Sequence, residues 1–230
     1  MKISIFQPTY LSWVGFYKAI DWADKYVFLD DVQYENHSWQ SRNRIKSSQG
    51  ELMLTIPIVR NFPQNINQVK INYSRDWIKD HLKSIQMNYS RASFFKEFFP
   101  LLESFYQAKP VGLLELNVSI IKGICEFLDI KTDFYYSSAL GISSDFKQND
   151  KVVAILKKME ADQYLYAEGA WGYMEKEIWL YDNIKLIPLK FDHPVYGQLY
   201  GEFIPYLSVI DLIFNCGQAE ASAIIKNIKL

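Results

Sequence analysis

The sequence contains only two cysteines, Cys125 and Cys216, and each lies within an apolar stretch with helical spacing. Two isolated thiols form neither a disulfide framework nor the paired spacing of a zinc site. This cysteine usage favours a reducing compartment, and we expect the protein in the cytoplasm.

Long hydrophobic runs and charge of one sign are also absent. No stretch approaches the roughly 18 uncharged apolar residues of a membrane span, and the amino-terminal MKISIFQP is strand-like, unlike a signal peptide. The 25 Lys and Arg residues nearly balance the 26 Asp and Glu residues, which gives a net charge of −1. The sequence therefore predicts a soluble intracellular protein without a nucleic-acid or membrane partner.

Sequence motifs that would name a reaction are missing as well. There is no GxSxG, P-loop, GxGxxG, HExxH or CxxC pattern. Hydrophobic residues make up 49% of the chain, and this proportion excludes a disordered protein. Aromatic residues are abundant, with 6 Trp, 16 Tyr and 15 Phe. Aromatic side chains fill cores and homodimer interfaces, but they also stack on sugars and heterocycles.

The hydrophobic periodicity alternates between strands and helices. A strand over 3–6, a helix over 13–23 and a strand over 26–29 predict a parallel βαβ opening. Helical patterns fill 75–128, and further strand-like runs occur later in the chain. We expect the run 52–59 to form a hairpin with 67–71. The pattern predicts a single α/β domain over residues 1–230. It has a Rossmann-like, mostly parallel sheet, flanking helices and a helical insertion near residues 75–130.

Polar residues follow the first two predicted strands. Gln7 follows the first strand, Tyr10 lies in the turn after it, and Asp30 and Asp31 follow the second. Open α/β sheets bind ligands at this carboxyl edge. The two carboxylates could share a proton, act as a base, hold Mg²⁺ or simply form a turn. Magnesium is the less favoured option because no second carboxylate cluster lies nearby.

The segment 30–46 contains an unusual density of polar and cationic residues. Arg42, Arg44 and Lys46 alternate, so an extended chain would place three cations on one side. Such a row suits a diphosphate, although alternating cations also protect strand edges. Acids, amides and a tryptophan lie in the same segment, and a loop that served only as a connection would rarely gather so many. We therefore expect a functional loop that includes Gln33, His37, Trp39 and Asn43.

Two of the three histidines are candidate bases. His37 lies in the polar loop, and His193 follows a strand, with Tyr196 and Gln198 close by. The alternative for His193 is a turn position ahead of a proline. His81 lies on the apolar face of its helix, so we expect it to be a core residue.

Two later segments allow a structural or a functional interpretation. In YAEGAWGYM, Glu168 and Trp171 accompany two glycines, which suit a close approach to a ligand, a mobile lid or a tight turn. Ser208 and Asp211 have the spacing of a capping box, which we favour over a catalytic role.

Eight segments in order resemble the WbqC-like family over residues 3 to 217: FQPTYLSWVGFYKAI, DKYVFLDDVQY, WQSRNRIKSSQGELMLTIPI, INQVKI, YSSAL, YAEGAWGYM, HPVYGQ and LSVIDLIFNCG. Members of this family are typically encoded in bacterial clusters for O-antigen and other surface polysaccharides. The resemblance implies modification of a nucleotide-linked sugar by acyl or aminoacyl transfer to a sugar amine.

We therefore expect a cytoplasmic transferase with a nucleotide sugar as substrate and an acyl or aminoacyl donor as co-substrate. His193 or His37 would take the amine proton, and Asp30 or Asp31 would orient that histidine. The expected substrate contacts are Gln7, Tyr10, Gln33, Trp39, Arg42, Asn43, Arg44, Glu168, Trp171, Tyr196 and Gln198. The alternatives are a non-catalytic nucleotide-sugar-binding or assembly protein, and a nucleotidylyltransferase-like enzyme, although the paired histidines of the latter are absent.

Overall fold

Strands and helices alternate along the computed structural model, which describes residues 1–143, 145–146, 148–167 and 184–230. The strands are β1 Lys2–Phe6, β2 Lys25–Phe28, β3 Arg42–Ser47, β4 Gly50–Thr55, β5 Asp133–Tyr136, β6 Gln163–Ala167 and β7 Lys185–Leu189. The helices are α1 Val14–Trp22, α2 Trp77–Tyr89, α3 Phe95–Gln107, α4 Leu113–Phe127, α5 Gln148–Lys158 and α6 Val209–Asn227.

The main sheet is parallel and has the strand order β5-β2-β1-β6-β7. From the central strand β1 the chain runs outward through β2 and β5, and then outward on the other side through β6 and β7. The direction of winding therefore reverses between β1 and β6, which is the switch point where open α/β sheets bind ligands. This topology confirms the Rossmann-like prediction, and α2, α3 and α4 form the helical insertion.

Each face of the sheet packs against its own set of helices because side chains alternate along a strand. Ile3, Ile5 and Val27 point to the face covered by α5. Tyr26 and Phe28 point to the opposite face, whose core also includes residues of α1, α4 and α6. Strands buried on both faces are typical of parallel sheets.

The predicted hairpin between 52–59 and 67–71 forms only in part, because most of the first run pairs with a different strand. Strand β4 pairs with β3 in antiparallel register, from Arg42 opposite Thr55 to Ser47 opposite Gly50. An isolated bridge between Ile58 and Ile71 is what links the two predicted partners. Strand β3 was not predicted because two of its three buried residues, Asn43 and Lys46, are polar. Its RNRIKS sequence therefore lacks the alternation of apolar and polar residues.

Helix α6 begins after Ser208, as the capping-box spacing predicts, and it contains a kink. The hydroxyl of Ser208 accepts a hydrogen bond from the backbone N–H of Ile210, as expected of an N-cap. Gly217 has φ of 73° and breaks the helix, which then resumes to Asn227. None of the helices in the described ranges is long and apolar enough to cross a membrane.

Candidate functional site

A cavity of about 490 Å³ opens at the switch point, where β1 and β6 end. Strand ends, the loop after β1, α1, the β3–β4 hairpin and the segment before α6 all contribute to its wall. The lining residues are Ile5, Phe6, Gln7, Thr9, Trp13, Phe16, Leu29, Trp39, Asn43, Arg44, Val152, Tyr164, Ala167, Leu189 and Tyr206. Its volume lies within the roughly 300–1,000 Å³ typical of small-molecule sites.

The cavity wall is rich in aromatic side chains. Trp39 and Tyr206 are 47% and 50% exposed, so both rings offer surface to a ligand. Trp13 also lines the cavity and contacts the ring of Tyr206, with centroids 5.5 Å apart. Trp13 and Tyr206 were not among the predicted site residues, because nothing in the local sequence around residue 206 indicates that it meets residue 13.

Three buried amides hold the loop between β1 and α1. Asn43 donates to the carbonyls of Tyr10 and Leu11 at 3.0 and 2.9 Å. Asn117 donates to the Pro8 carbonyl at 3.2 Å, and Gln40 donates to Oε1 of Gln7 at 2.6 Å. Asn43 therefore supports the site as a scaffold. The Nε2 of Gln7 has no acceptor among the described residues, so it can donate to a ligand in the cavity.

Tyr10 lies in the core and does not line the cavity. Its hydroxyl hydrogen-bonds Nδ1 of His81 at 2.8 Å and the hydroxyl of Tyr106, and burial raises its pKa well above the usual value. A fully buried ring has no face for a ligand, so the structure does not support the predicted substrate contact. His81 is buried on α2, as expected.

The three alternating cations of β3 have different environments. Arg44 lines the cavity, forms an ion pair with Glu51 at 2.8 Å, and lies over the Trp39 ring at 5.3 Å. Lys46 is buried, and its Nζ donates to Oε1 of Gln198 at 3.0 Å. Arg42 does not line the cavity. The predicted row of three cations therefore reduces to Arg44, because Lys46 points into the protein and is used there.

Asp30 and Asp31 both make contacts between the ends of β2 and β5. The Asp30 carboxylate accepts from the Ser137 hydroxyl at 3.0 Å, and from the Ser138 N–H and hydroxyl at 3.0 and 2.7 Å. Asp31 forms an ion pair with the buried Lys151 at 2.6 Å. These partners satisfy the two carboxylates, and no histidine is among them. The structure thus does not bring either aspartate to a histidine.

His193 lies at the border of the cavity, against two of its lining residues. Its ring stacks beside Trp13 at a centroid distance of 6.5 Å and meets Tyr206 edge-on at 5.0 Å. Nδ1 donates to the carbonyl of Pro194 at 2.9 Å, since a carbonyl can only accept. Nε2 is buried and has no hydrogen-bond partner in the described part of the chain. Burial lowers the pKa of the imidazole, so the neutral ring offers Nε2 as an acceptor.

His37 and Gln33 lie away from the cavity wall. Both are exposed, and neither lines the cavity. His37 adopts a positive φ of 57°, as expected for a turn. Glu168 and Trp171 lie outside the described residues.

Tyr196 and Gln198 belong to a buried network around Asp211. The Asp211 carboxylate accepts from the hydroxyls of Tyr89 and Tyr196 and from Nε2 of Gln198, each at 2.8 Å. The predicted capping box is therefore incomplete, because the carboxylate is turned toward these three donors instead of the N–H of Ser208. The network, together with Lys46, anchors the segment 194–207 that carries Tyr206. Neither Tyr196 nor Gln198 lines the cavity.

Among the described residues there is no group of three or more His, Cys, Asp or Glu side chains arranged to hold a metal ion. The polar side chains of the wall include the amide of Gln7, the hydroxyl of Thr9 and the guanidinium of Arg44, and the imidazole of His193 lies at its border. These groups donate to anions and sugar hydroxyls or accept a proton from an amine.

Comparisons with known proteins agree with the sequence resemblance. The sequence model described as the WbqC-like protein family matches residues 7–223. The uncharacterized protein Rv1507c of Mycobacterium tuberculosis is 31% identical over 226 residues, which cover 96% of this chain and 95% of that protein. No solved structure matches the chain.

Proposed function

The chain belongs to the WbqC-like protein family, and we propose that it is a transferase that acylates the amine of a nucleotide-linked amino sugar. The position and composition of the cavity are the observation that carries this proposal. It lies at the switch point of a Rossmann-like sheet, where this architecture binds nucleotides, and aromatic rings line it on several sides. Aromatic rings bind the flat faces of bases and sugars.

Arg44 is the diphosphate contact in this proposal. Its guanidinium borders the cavity, and its ion pair with Glu51 is partly exposed, with the two side chains 25% and 40% exposed. Exposed ion pairs contribute little, about 0–1 kcal/mol, so a phosphate can replace the carboxylate at small cost. Gln7 adds a neutral donor from the end of β1.

His193 is the base in the transfer step. The sugar amine attacks the carbonyl carbon of the acyl donor, the N–C bond forms, and the bond from that carbon to the leaving group breaks. Nε2 of His193 takes the amine proton and passes it to the leaving group. The hydrogen bond from Nδ1 to Pro194 fixes the tautomer in which Nε2 carries the lone pair that accepts this proton.

Ligand-induced thermal stabilisation tests the proposal. The panel contains nucleotide sugars with and without a free amine, the free nucleotides, acyl-coenzyme A donors, and ATP with Mg²⁺. A ligand at about 100 times its Kd adds roughly 2.7 kcal/mol of stability. We expect stabilisation by the amino-sugar nucleotides, followed by acyl transfer to the amine in an assay with a donor.

Arg44→Gln is the matched test of the diphosphate contact. Hydrogen bonds to charged groups are worth about 1.5–3 kcal/mol, so the variant should bind the nucleotide sugar about tenfold more weakly, or worse. The control is Arg91→Gln, the same change at an exposed arginine outside the cavity wall. Stabilisation only by ATP with Mg²⁺ would favour a nucleotidylyltransferase, and binding without turnover would favour a non-catalytic role.

A further inference from the structure

Among the described residues of the cavity wall, only Trp13 has a ring that stacks both beside the His193 ring and on Phe191. Its ring is 21° from the plane of His193 and 10° from that of Phe191, with centroids 6.5 and 5.6 Å away. Offset parallel rings at such distances attract one another. Trp13 therefore connects the cavity to the imidazole at its border.

Three aromatic side chains surround the imidazole. Besides Trp13, Phe203 lies at 5.7 Å and Tyr206 at 5.0 Å, the latter edge-on. No described carboxylate or cation forms an ion pair with His193, and Tyr206 is the titratable group that contacts it. The hydrogen bond to Pro194 restrains one end of the ring, and aromatic packing must restrain the other, because Nε2 has no described partner.

The backbone beneath Trp13 makes this orientation specific. The indole lies directly over Gly15, where a β-carbon would fall 2.2 Å from Cη2 of the ring. Trp13 is also anchored through its backbone, which forms an isolated antiparallel bridge with Ser208. The position of the indole is thus set by α1 on one side and by the start of α6 on the other.

We propose that Trp13 is a positioning residue that holds the imidazole of His193 so that Nε2 is directed to the acceptor amine. The role of Trp13 in the transfer step rests on the proposed function. Its structural part, the coupling of Trp13 to His193, is measurable on the protein without substrate.

NMR of the histidine rings tests the coupling, because the chain has only three histidines. In the wild-type protein, His193 should be the Nδ1–H tautomer and should titrate below 6.5, since burial lowers its pKa. In Trp13→Leu, the midpoint should rise toward 6.5 and the ring should become a mixture of tautomers. The signals of His37 and His81 should not move.

Trp39→Leu is the matched control, because it removes another indole of the same cavity that has no ring contact with His193. It should leave the His193 titration unchanged. Trp13→Phe retains an aromatic ring and should give an intermediate midpoint. A shift of the buried His81 signal would reveal that Trp13→Leu does not fold. In that case Trp13→Phe provides the test.

An unchanged midpoint and tautomer in a folded Trp13→Leu protein would overturn the coupling, as would an equal shift in Trp39→Leu. In the transfer assay, Trp13→Leu should lower kcat and move the acidic limb of the pH profile upward with the NMR midpoint. If the NMR shift occurs but no nucleotide sugar binds the wild-type protein, the coupling stands and the proposed function fails.

Discussion

The indole of Trp13 occupies the space that a β-carbon of Gly15 would need, with a separation of 2.2 Å from ring atom Cη2. Any larger residue at position 15 therefore displaces a ring that lines the cavity. The displaced atoms belong to the far end of a side chain, so the ring can move without unfolding the helix beneath it.

Gly15→Ala should consequently change the site more than the stability. Alanine favours a helix over glycine by about 1 kcal/mol, which offsets part of the strain. We expect the free energy of unfolding to stay within about 1 kcal/mol, and ligand binding to weaken by about 0.5–1.5 kcal/mol, as one aromatic contact is lost. Calorimetric titration measures the binding. Gly197→Ala, at a glycine with nothing within 4 Å, is the control and should change neither quantity.

His193→Ala should slow the transfer step by about 10²–10⁴, the usual contribution of a positioned base. The Kd of the nucleotide sugar should change little, because His193 borders the cavity without lining it. Since burial lowers the pKa of His193, the wild-type rate should be constant at neutral pH and fall on acidification. His37→Ala, at an exposed turn, should retain full activity, and a wild-type rate in His193→Ala would remove this residue from the mechanism.

Acidification should destabilise the protein through His81. Burial lowers its pKa from 6.5 to about 4, so between these values the unfolded chain binds a proton that the folded protein does not. The free energy of unfolding therefore has its full value above about pH 6.5. It decreases by roughly 3 kcal/mol as the pH falls toward 4. Urea unfolding across this range should show a flatter pH dependence in His81→Gln. An equal slope in the wild-type protein and in His81→Gln would contradict the assignment.

Gly217→Ala should destabilise the protein more than Gly201→Ala does. Both glycines have φ of 73°, which disfavours any residue with a β-carbon by about 1–2 kcal/mol. At Gly201 nothing lies within 4 Å, whereas at Gly217 a β-carbon would fall 2.5 Å from the Phe94 ring. Overpacking should add about 1–3 kcal/mol at Gly217. Denaturant unfolding of both variants measures the difference, and equal losses would show that the Phe94 ring yields freely.

The sequence predicts local elements well and long-range contacts poorly. The β1–α1–β2 opening follows from periodicity within about 25 residues, and Ser208 marks the start of α6 by its own chemistry. Strand β3 could not be found in this way, because buried Asn43 and Lys46 are satisfied by partners elsewhere in the chain.

The candidate site shows the same division. Gln7 and Arg44 lie at the cavity, at an edge that the order of strands predicts. Tyr10 follows the same strand and was predicted to contact the substrate. Its ring instead turns into the core, where its hydroxyl hydrogen-bonds His81, and the next residue, Leu11, has a positive φ. That orientation depends on α2 and α3, which no pattern near residue 10 reveals.

The network around Asp211 also bears on how much of the chain the cavity needs. Tyr89 and Asp211 are 122 residues apart, and Lys46 and Gln198 are 152 apart. The central sheet joins residues equally distant in sequence, since Lys2 of β1 lies opposite Gln163 of β6. Closing such long loops costs conformational entropy that only the completed contacts offset. The sheet and the wall that carries Tyr206 therefore both need nearly the whole chain, and recovery of ligand binding would report assembly of the complete fold.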